Sequence, residues 1–410
     1  MKVLQVNCVF REGSTGKIVN DIDISLKNKE IDSYICYGRG KFISEKGIYK
    51  FCTELEAKIH ALFIRLGLVM PYGGNYFSTK RLINKIKKEE PDIVHLHCIN
   101  GSCVNIYTLL KFLGQNKYKT LVTHHAEFFY TGSCGYSFDC NQFMTDKGCV
   151  KCPQLYDSTR SLTLDRTGEA WRKMKESFNY FEAKNLMFTS VSDWVKQRLS
   201  MSPIVRGVKC ETVLNGVDTQ VFNYKERDKM LLRDLGTEAY SKIIVHVTAS
   251  FIPYSDTVKG SKHIVELAKL MPNVLFLVVA LSHGELSNLP QNIVFYGKTK
   301  TQNELADLYR LADVTILTSK RETFSMIVAE SLCCGTPVVG FKAGGPETIT
   351  INEYSDFVEY GNLMQLKVAV NKMLHSLHDK ELISYNGILK YSKENMTESF
   401  LSVYKKLMEG

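Results

Sequence analysis

Strand-like apolar runs alternate with amphipathic segments along this chain, and the alternation occurs twice. KVLQVNCVF, DSYICYG, DIVHLHC, TLVTHH and LMFTSVS make the first series. KIIVHVTAS, VLFLVVA, NIVFYG, VTILTS and TPVVGF make the second, after residue 220. Helical segments such as STKRLINKIKKEE and TQNELADLYRLA lie between the runs. Strand–helix–strand repetition argues for parallel sheets joined by right-handed crossovers. The expected fold class is therefore α/β, with two doubly wound Rossmann-like domains, and 410 residues suffice for both. The stretch VFNYKERDKMLLRDLGTEAYSK has few strand signals and many charges, and reads as the junction. The expected boundaries are 1–218 for the first domain and 219–392 for the second, with a helix over 393–410 packing back on the first. Ligands of such sheets sit at the carboxyl ends of the strands, and two such domains facing each other enclose a deep cleft.

A net charge of +9 is modest for this length. It does not by itself argue for nucleic acid, and it suits an acidic ligand or an anionic membrane surface. The first residues lack the apolar core of a signal peptide. No run reaches the roughly 18 apolar residues of a spanning helix. The expectation is a cytoplasmic protein, with peripheral contact at the inner face of the plasma membrane. For that contact the candidate is AKIHALFIRLGLVMPYGG, where Lys58, His60 and Arg65 stand among apolar residues, together with its basic neighbour STKRLINKIKKEE. The alternative is an ordinary helix with a solvated basic face. Twelve cysteines in a reducing compartment suggest thiols or metal ligands. Cys134, Cys140, Cys149 and Cys152 lie within nineteen residues and end in Cys-x-x-Cys-Pro. We read them as a structural zinc site at the cleft rim, with four incidental thiols as the alternative.

The segment GSTGK near the start tests a nucleotide-hydrolase reading. Gly16 and Lys17 fit the P-loop pattern, but its first glycine would fall on Arg11 and its hydroxyl residue on Ile18. No usual magnesium ligand remains beside the phosphates, and the dinucleotide pattern also fails at Arg11. An apolar strand, a glycine turn and a helix start are left. These offer backbone N–H groups to an anion, or simply make a tight turn.

The stretch ADVTILTSKRETFSMIVAESLCCGTPVVGFKAGGPET is the richest. Glu322 and Glu330 stand eight apart. A helix starting near Phe324 would put Glu330 about two turns in and Glu322 at its mouth. The N–H groups of Thr323, Phe324 and Ser325 would then face an anion. Carboxylates beside amides suit a sugar attached to phosphate; a capping Glu322 and a solvated Glu330 are the plain alternative.

The order of residues decides between them. Ala312-Asp313-Val314, Ser319, Glu322, Glu330, Gly335-Thr336-Pro337-Val338-Val339 and Gly344-Gly345-Pro346-Glu347 resemble the donor-site signature of the family 4 glycosyltransferases. Leu214 to Asp218 (LNGVD) and Lys259-Gly260 extend the likeness upstream. YGRGK, HLHCINGS and THHAEFFYTGSC are similar to a bacterial subgroup that makes surface polysaccharides. The resemblance covers nearly the whole chain. It implies the GT-B fold and retaining transfer from a nucleotide-sugar, with UDP the expected nucleotide, to a glycan or lipid-linked acceptor.

The roles it implies fall on particular residues. Lys259 would contact the donor diphosphate, Glu322 the sugar hydroxyls and Glu330 the ribose. His125 would bind the sugar or orient the acceptor, and with Glu322 it is the catalytic candidate. Gly13 and Gly16 match the N-terminal glycine loop on the phosphate side, with Lys17 as a further electrostatic contact. The second phosphate-binding arginine is missing from VTASFIPYSDTVKG, and Ala126 replaces the aspartate that usually follows the histidine. The leaving phosphate is expected to take the acceptor proton, so no catalytic metal or Asp-x-Asp motif is needed. Two other readings are a nucleotide-sugar epimerase or a phosphorylase of the same fold, and a zinc-containing nucleic-acid binder. The latter leaves the Glu322 to Glu347 stretch unexplained; the resemblance implies no nucleic-acid partner.

Overall fold

The computed structural model describes residues 1–159, 161–236 and 239–410. They divide into two units, Met1–Leu214 with Met396–Gly410, and Asn215–Asn395. The strands are β1 Lys2–Asn7, β2 Asp32–Tyr37, β3 Ile48–Lys50, β4 Ile93–Leu96, β5 Lys119–His124, β6 Leu186–Ser190 and β7 Cys210–Thr212 in the first unit. In the second they are β8 Ile243–Phe251, β9 Leu275–His283, β10 Ile293–Gly297, β11 Val314–Leu317, β12 Val338–Phe341 and β13 Ser355–Val358.

The first sheet runs β3-β2-β1-β4-β5-β6-β7 and the second β10-β9-β8-β11-β12-β13. The strand pairs are parallel, as β1 with β4 and β8 with β9 illustrate. Central strands such as IVHL and VTIL are buried along their whole length, because helices cover both faces of a parallel sheet. Strand order reverses between β1 and β4, and again between β8 and β11. Those are the topological switch points where an open α/β sheet offers a crevice at its carboxyl edge.

The first unit is closed by the last helix, Lys393–Glu409. Its Phe400, Tyr404 and Leu407 join Val3, Ile93 and Leu121 in one apolar core. The second core joins strand residues Ile244, Phe276 and Ile316 to Leu366 and Val370 of helix Leu363–His375. The stretch read as a junction is tied to the second unit. Arg310 donates from Nε to Asn223 O at 2.8 Å and from Nη2 to Val221 O at 2.6 Å. Arg227 donates to Asp313 Oδ1 at 2.6 Å. Residues 237 and 238 of that stretch lie outside the described residues.

β3, β7 and β13 are not announced by apolar runs. Each sits at a sheet edge or next to it and is only half-buried. A strand exposed on one side needs no continuous apolar sequence.

Candidate functional site

The second unit gathers the donor-site candidates at the carboxyl ends of β8 and β9. Lys259 and Gly260 precede helix Ser261–Leu270. Gly260 has φ +67, and a Cβ there would lie 2.0 Å from Thr318 O. Only glycine fits so close to the end of β11 in a left-handed conformation. Thr318 Oγ1 donates to Lys259 O at 3.2 Å, and Lys320 N–H to Val258 O at 2.7 Å. The Lys259 backbone is thereby pinned to the strand end. Its ammonium meets Glu322 Oε1 at 2.6 Å, with side chains 33% and 13% exposed.

Lys259, Glu322, Ser325, Met326 and Ile327 line a cavity of about 300 Å³, together with Lys298 and the ends of β8 and β9. Ser325 caps helix Met326–Cys333 with φ +85, a strained value for a residue with a Cβ. It is 8% exposed, and its hydroxyl finds no hydrogen-bond partner. A buried orphan hydroxyl at a helix N-terminus, lining the same cavity as an ammonium and a carboxylate, can meet a polar ligand.

The helix begins at Met326 and not near Phe324, because the positive φ of Ser325 interrupts the helical path. Glu330 therefore stands little more than one turn in, where its Oε2 accepts from Tyr309 OH at 3.1 Å. Thr323 and Phe324 are buried ahead of the helix. The helix-start residues at the cavity are Ser325, Met326 and Ile327.

Much of the signature is architectural. Asp313 accepts from Arg227 and from Ile243 N–H, 2.8 Å. Thr336 Oγ1 donates to Tyr309 O at 2.7 Å. Glu347 accepts from the amides of Ala343 and Gly344 at 3.0 and 2.8 Å, capping its own helix. A Cβ on Gly345 would lie 2.2 Å from Thr323 O, so this glycine holds the Glu322 segment in place. Lys298 is the charged residue of the cavity lining that the sequence reading missed. It follows the apolar run NIVFYG at the end of β10, which is the available signal.

In the first unit, helix Gly13–Asn28 begins at Gly13 itself. GSTGK is thus the first turn of a helix and not a loop. A Cβ on Gly16 would lie 3.2 Å from Val9 Cγ2 and 3.3 Å from Arg11 N. Its absence lets the preceding turn fold onto the helix, where Arg11 N–H donates to Gly16 O at 3.1 Å. Gly13 is exposed at the helix start, and Lys17 is exposed one turn along.

His125 directly follows β5 and is buried, and loss of hydration pushes its pKa down to about 4. It is a neutral imidazole at pH 7. Its Nε2 lies 3.2 Å from His97 Nδ1. His97 Nε2 lies 3.1 Å from Gln5 Oε1. His95 joins Tyr404 OH at 2.7 Å and Thr123 Oγ1 at 2.6 Å. Its neighbour His124 points elsewhere, into Phe129, Tyr130 and Phe188.

Beyond His125 the cysteine segment is fastened by an ion pair. Glu127, fully buried, accepts from Arg198 Nε at 2.7 Å, Ser137 N–H at 2.6 Å and Tyr130 OH at 3.2 Å. Among the described residues no three His, Cys, Asp or Glu side chains form a group able to hold a metal ion. Cys134, Cys140, Cys149 and Cys152 are free thiols, and Cys149 lies close enough to Cys140 and Cys152 to feel their charge. Cys134 and Cys152 share a thiol hydrogen bond, and Cys149 Sγ accepts Gly132 N–H at 3.2 Å.

Helix Glu54–Arg65 buries Ala57, His60 and Ile64 and leaves Leu55, Ile59, Leu62 and Phe63 exposed. His60 is therefore not part of a polar face. Among the described residues no helix is long and apolar enough to cross a membrane.

Residues 255–389 match the glycosyl transferases group 1 family. The chain is 21% identical over 425 residues to WcaC of Escherichia coli, a protein assigned to colanic acid biosynthesis as a glycosyl transferase; the match covers 99% of this chain and 100% of that one. A glycosyltransferase structure from Rickettsia africae superposes with a TM-score of 0.65 at 18% identity, covering 100% of this chain and 99% of the other. HepE of Anabaena, solved in complex with UDP and glucose, gives 0.65 at 13% identity, with 99% of each chain covered.

Proposed function

We propose, for a chain that is built on the GT-B fold and carries a group 1 glycosyl transferase domain, that it moves a sugar from a UDP-sugar to a glycan or lipid-linked acceptor in surface polysaccharide synthesis, with retention at the anomeric carbon. The observation that carries the reading is the second-unit cavity, which is lined by both the Lys259–Glu322 pair and Ser325 with its orphan hydroxyl. Departure of a nucleoside diphosphate develops negative charge, and fixed positive groups at that point lower the barrier most. Lys259, Lys298 and the helix start at Met326 supply them. Glu322 takes sugar hydroxyls and Glu330 the ribose. His125, neutral, serves as a hydrogen-bonding group on the acceptor side. The transfer proceeds without a metal ion, the leaving phosphate accepting the acceptor's proton.

The acceptor side also carries the membrane reading. Leu55, Ile59, Leu62, Phe63, Leu66 and Leu68 are exposed together on one helix and its following turn, with Lys58 and Arg65 beside them. A face that is apolar and basic suits the surface of an anionic bilayer. Sedimentation with phosphatidylglycerol vesicles should carry the protein down, and Leu62→Asp should release it.

Thermal unfolding against UDP, GDP, ADP and their sugars tests the donor reading. A ligand at a hundred times its Kd adds about 2.7 kcal/mol. UDP compounds should stabilise the wild type and lose that effect in Glu330→Ala. No shift with any nucleotide would overturn the donor site. The anomeric configuration of the product, read by NMR, tests retention.

A further inference from the structure

One face of the first sheet changes character along its strands. Toward the amino ends it carries Val3, Ile93 and Leu121, packed on the last helix. Toward the carboxyl ends it carries Gln5, His95, His97 and Thr123, all fully buried. Buried polar groups of this kind are for the most part hydrogen-bonded; the exception is Gln5 Nε2, which has no partner in this orientation of the amide. The chain of contacts runs Gln5, His97, His125, and ends at the group we place on the acceptor side.

The chemistry of the chain has a direction. Gln5 Oε1 can only accept, so the hydrogen between it and His97 sits on His97 Nε2. His97 is neutral, because burial and the neighbouring His95 and His125 rings hold its pKa well below the ordinary value. A neutral imidazole carries one hydrogen, so His97 Nδ1 presents a lone pair. The hydrogen between the two rings therefore belongs to His125 Nε2.

We propose that His97, oriented by Gln5, is a positioning residue that locks His125 as its Nε2–H tautomer. Nδ1 of His125 is then an acceptor, and the residue has a fixed polarity toward a substrate hydroxyl. A hydroxyl of the acceptor, or of the sugar, is held by donating to it. The opposite polarity would require the Gln5 amide to turn over, with Gln5 Nε2–H donating to His97 and both rings exchanging their hydrogens. The inference rests on the reading of His125 as a substrate-facing group.

The test uses the full-length protein labelled with 15N-histidine. Long-range ring correlations at pH 7.5 read the tautomer of each histidine, with His97 and His125 assigned by the loss of their signals in His97→Gln and His125→Gln. Both rings are expected as Nε2–H. Gln5→Met should convert His125 to a mixture of tautomers. It should also lower kcat for whichever of UDP-, GDP- or ADP-glucose is turned over, leaving the donor KM near its wild-type value. The wild-type spectrum decides the first point even if Gln5→Met fails to fold. A wild-type His125 found as Nδ1–H or as imidazolium overturns the proposal, as does a tautomer unchanged in Gln5→Met. If the tautomers are as expected but His125→Gln works at the wild-type rate, the hydrogen-bonded chain stands. The substrate-facing reading then fails, and the positioning role with it.

Discussion

The Nζ of Lys259 lies 2.6 Å from Oε1 of Glu322, across 63 positions of sequence. With no ligand the two charges neutralise each other at the cavity wall. A bound diphosphate draws on the ammonium, and sugar hydroxyls draw on the carboxylate. Lys259→Ala should lower kcat/KM by about 10²–10³, the size of effect seen when one preorganised group facing developing charge is removed. Glu322→Gln should fall in the same direction. Because the lysine is one-third exposed, the melting temperature should move little. A melting point that collapses with activity would recast the pair as structural.

Ser325 sits at φ +85 with an unpartnered hydroxyl. Backbone strain of this kind costs on the order of 1–3 kcal/mol. Ser325→Gly should relieve part of it and raise the melting temperature of the free protein, while weakening the thermal shift given by UDP. An unchanged nucleotide shift would show that the hydroxyl does not meet the ligand.

Acid should destabilise the first unit through its histidines. Burial pushes the pKa of His124 to about 3 and that of His125 to about 4, from an ordinary 6.5. Each stays neutral in the fold while the unfolded chain takes up a proton. The stability is full above pH 6.5 and is lost as pH falls from there through the folded values, at about 1.4 kcal/mol per pH unit for each histidine. His124 has no hydrogen-bond partner at either ring nitrogen. His124→Phe should therefore leave neutral-pH stability unchanged or raised, and make the acid slope shallower in urea titrations between pH 7 and 4.

The Glu127–Arg198 pair carries the cysteine segment. Removing one partner of a buried pair typically costs 3–5 kcal/mol, because the other charge is left uncompensated. Arg198→Met should be destabilised by about that amount. A strong zinc chelator separates the two ways of holding this segment: a fall in the wild-type melting temperature would mean that the four thiols hold a metal, and an unchanged one that this pair and Ser137 suffice.

The two sheets could be read from sequence because central parallel strands are buried on both faces and must be apolar throughout. The edge strands β3 and β7 lack that constraint and leave no signal. Lys259 and Glu322 could each be singled out because each stands in a dense local motif, but their ion pair could not, since 63 positions separate them. Glu127 and Arg198, 71 positions apart, stand in none. The start of the helix at Met326 turned on one dihedral angle at Ser325, which residue type alone does not disclose. The period-two spacing of His95, in β4, and His97, just past its end, does place them on one face of the sheet, but the glutamine that orients His97 comes from β1.

The apolar core beneath the first sheet is completed by Phe400, Tyr404 and Leu407, although every strand of that sheet precedes residue 213. During synthesis the ribosome therefore delivers all seven strands long before the segment that covers them. The second unit, continuous from Asn215 to Asn395, emerges in between and is free to fold first. The nascent first half must wait with Val3, Ile93 and Leu121 covered only in part, by Ile18, Ile22 and Leu26 of the first helix, which makes it a natural client of a chaperone and prone to aggregate.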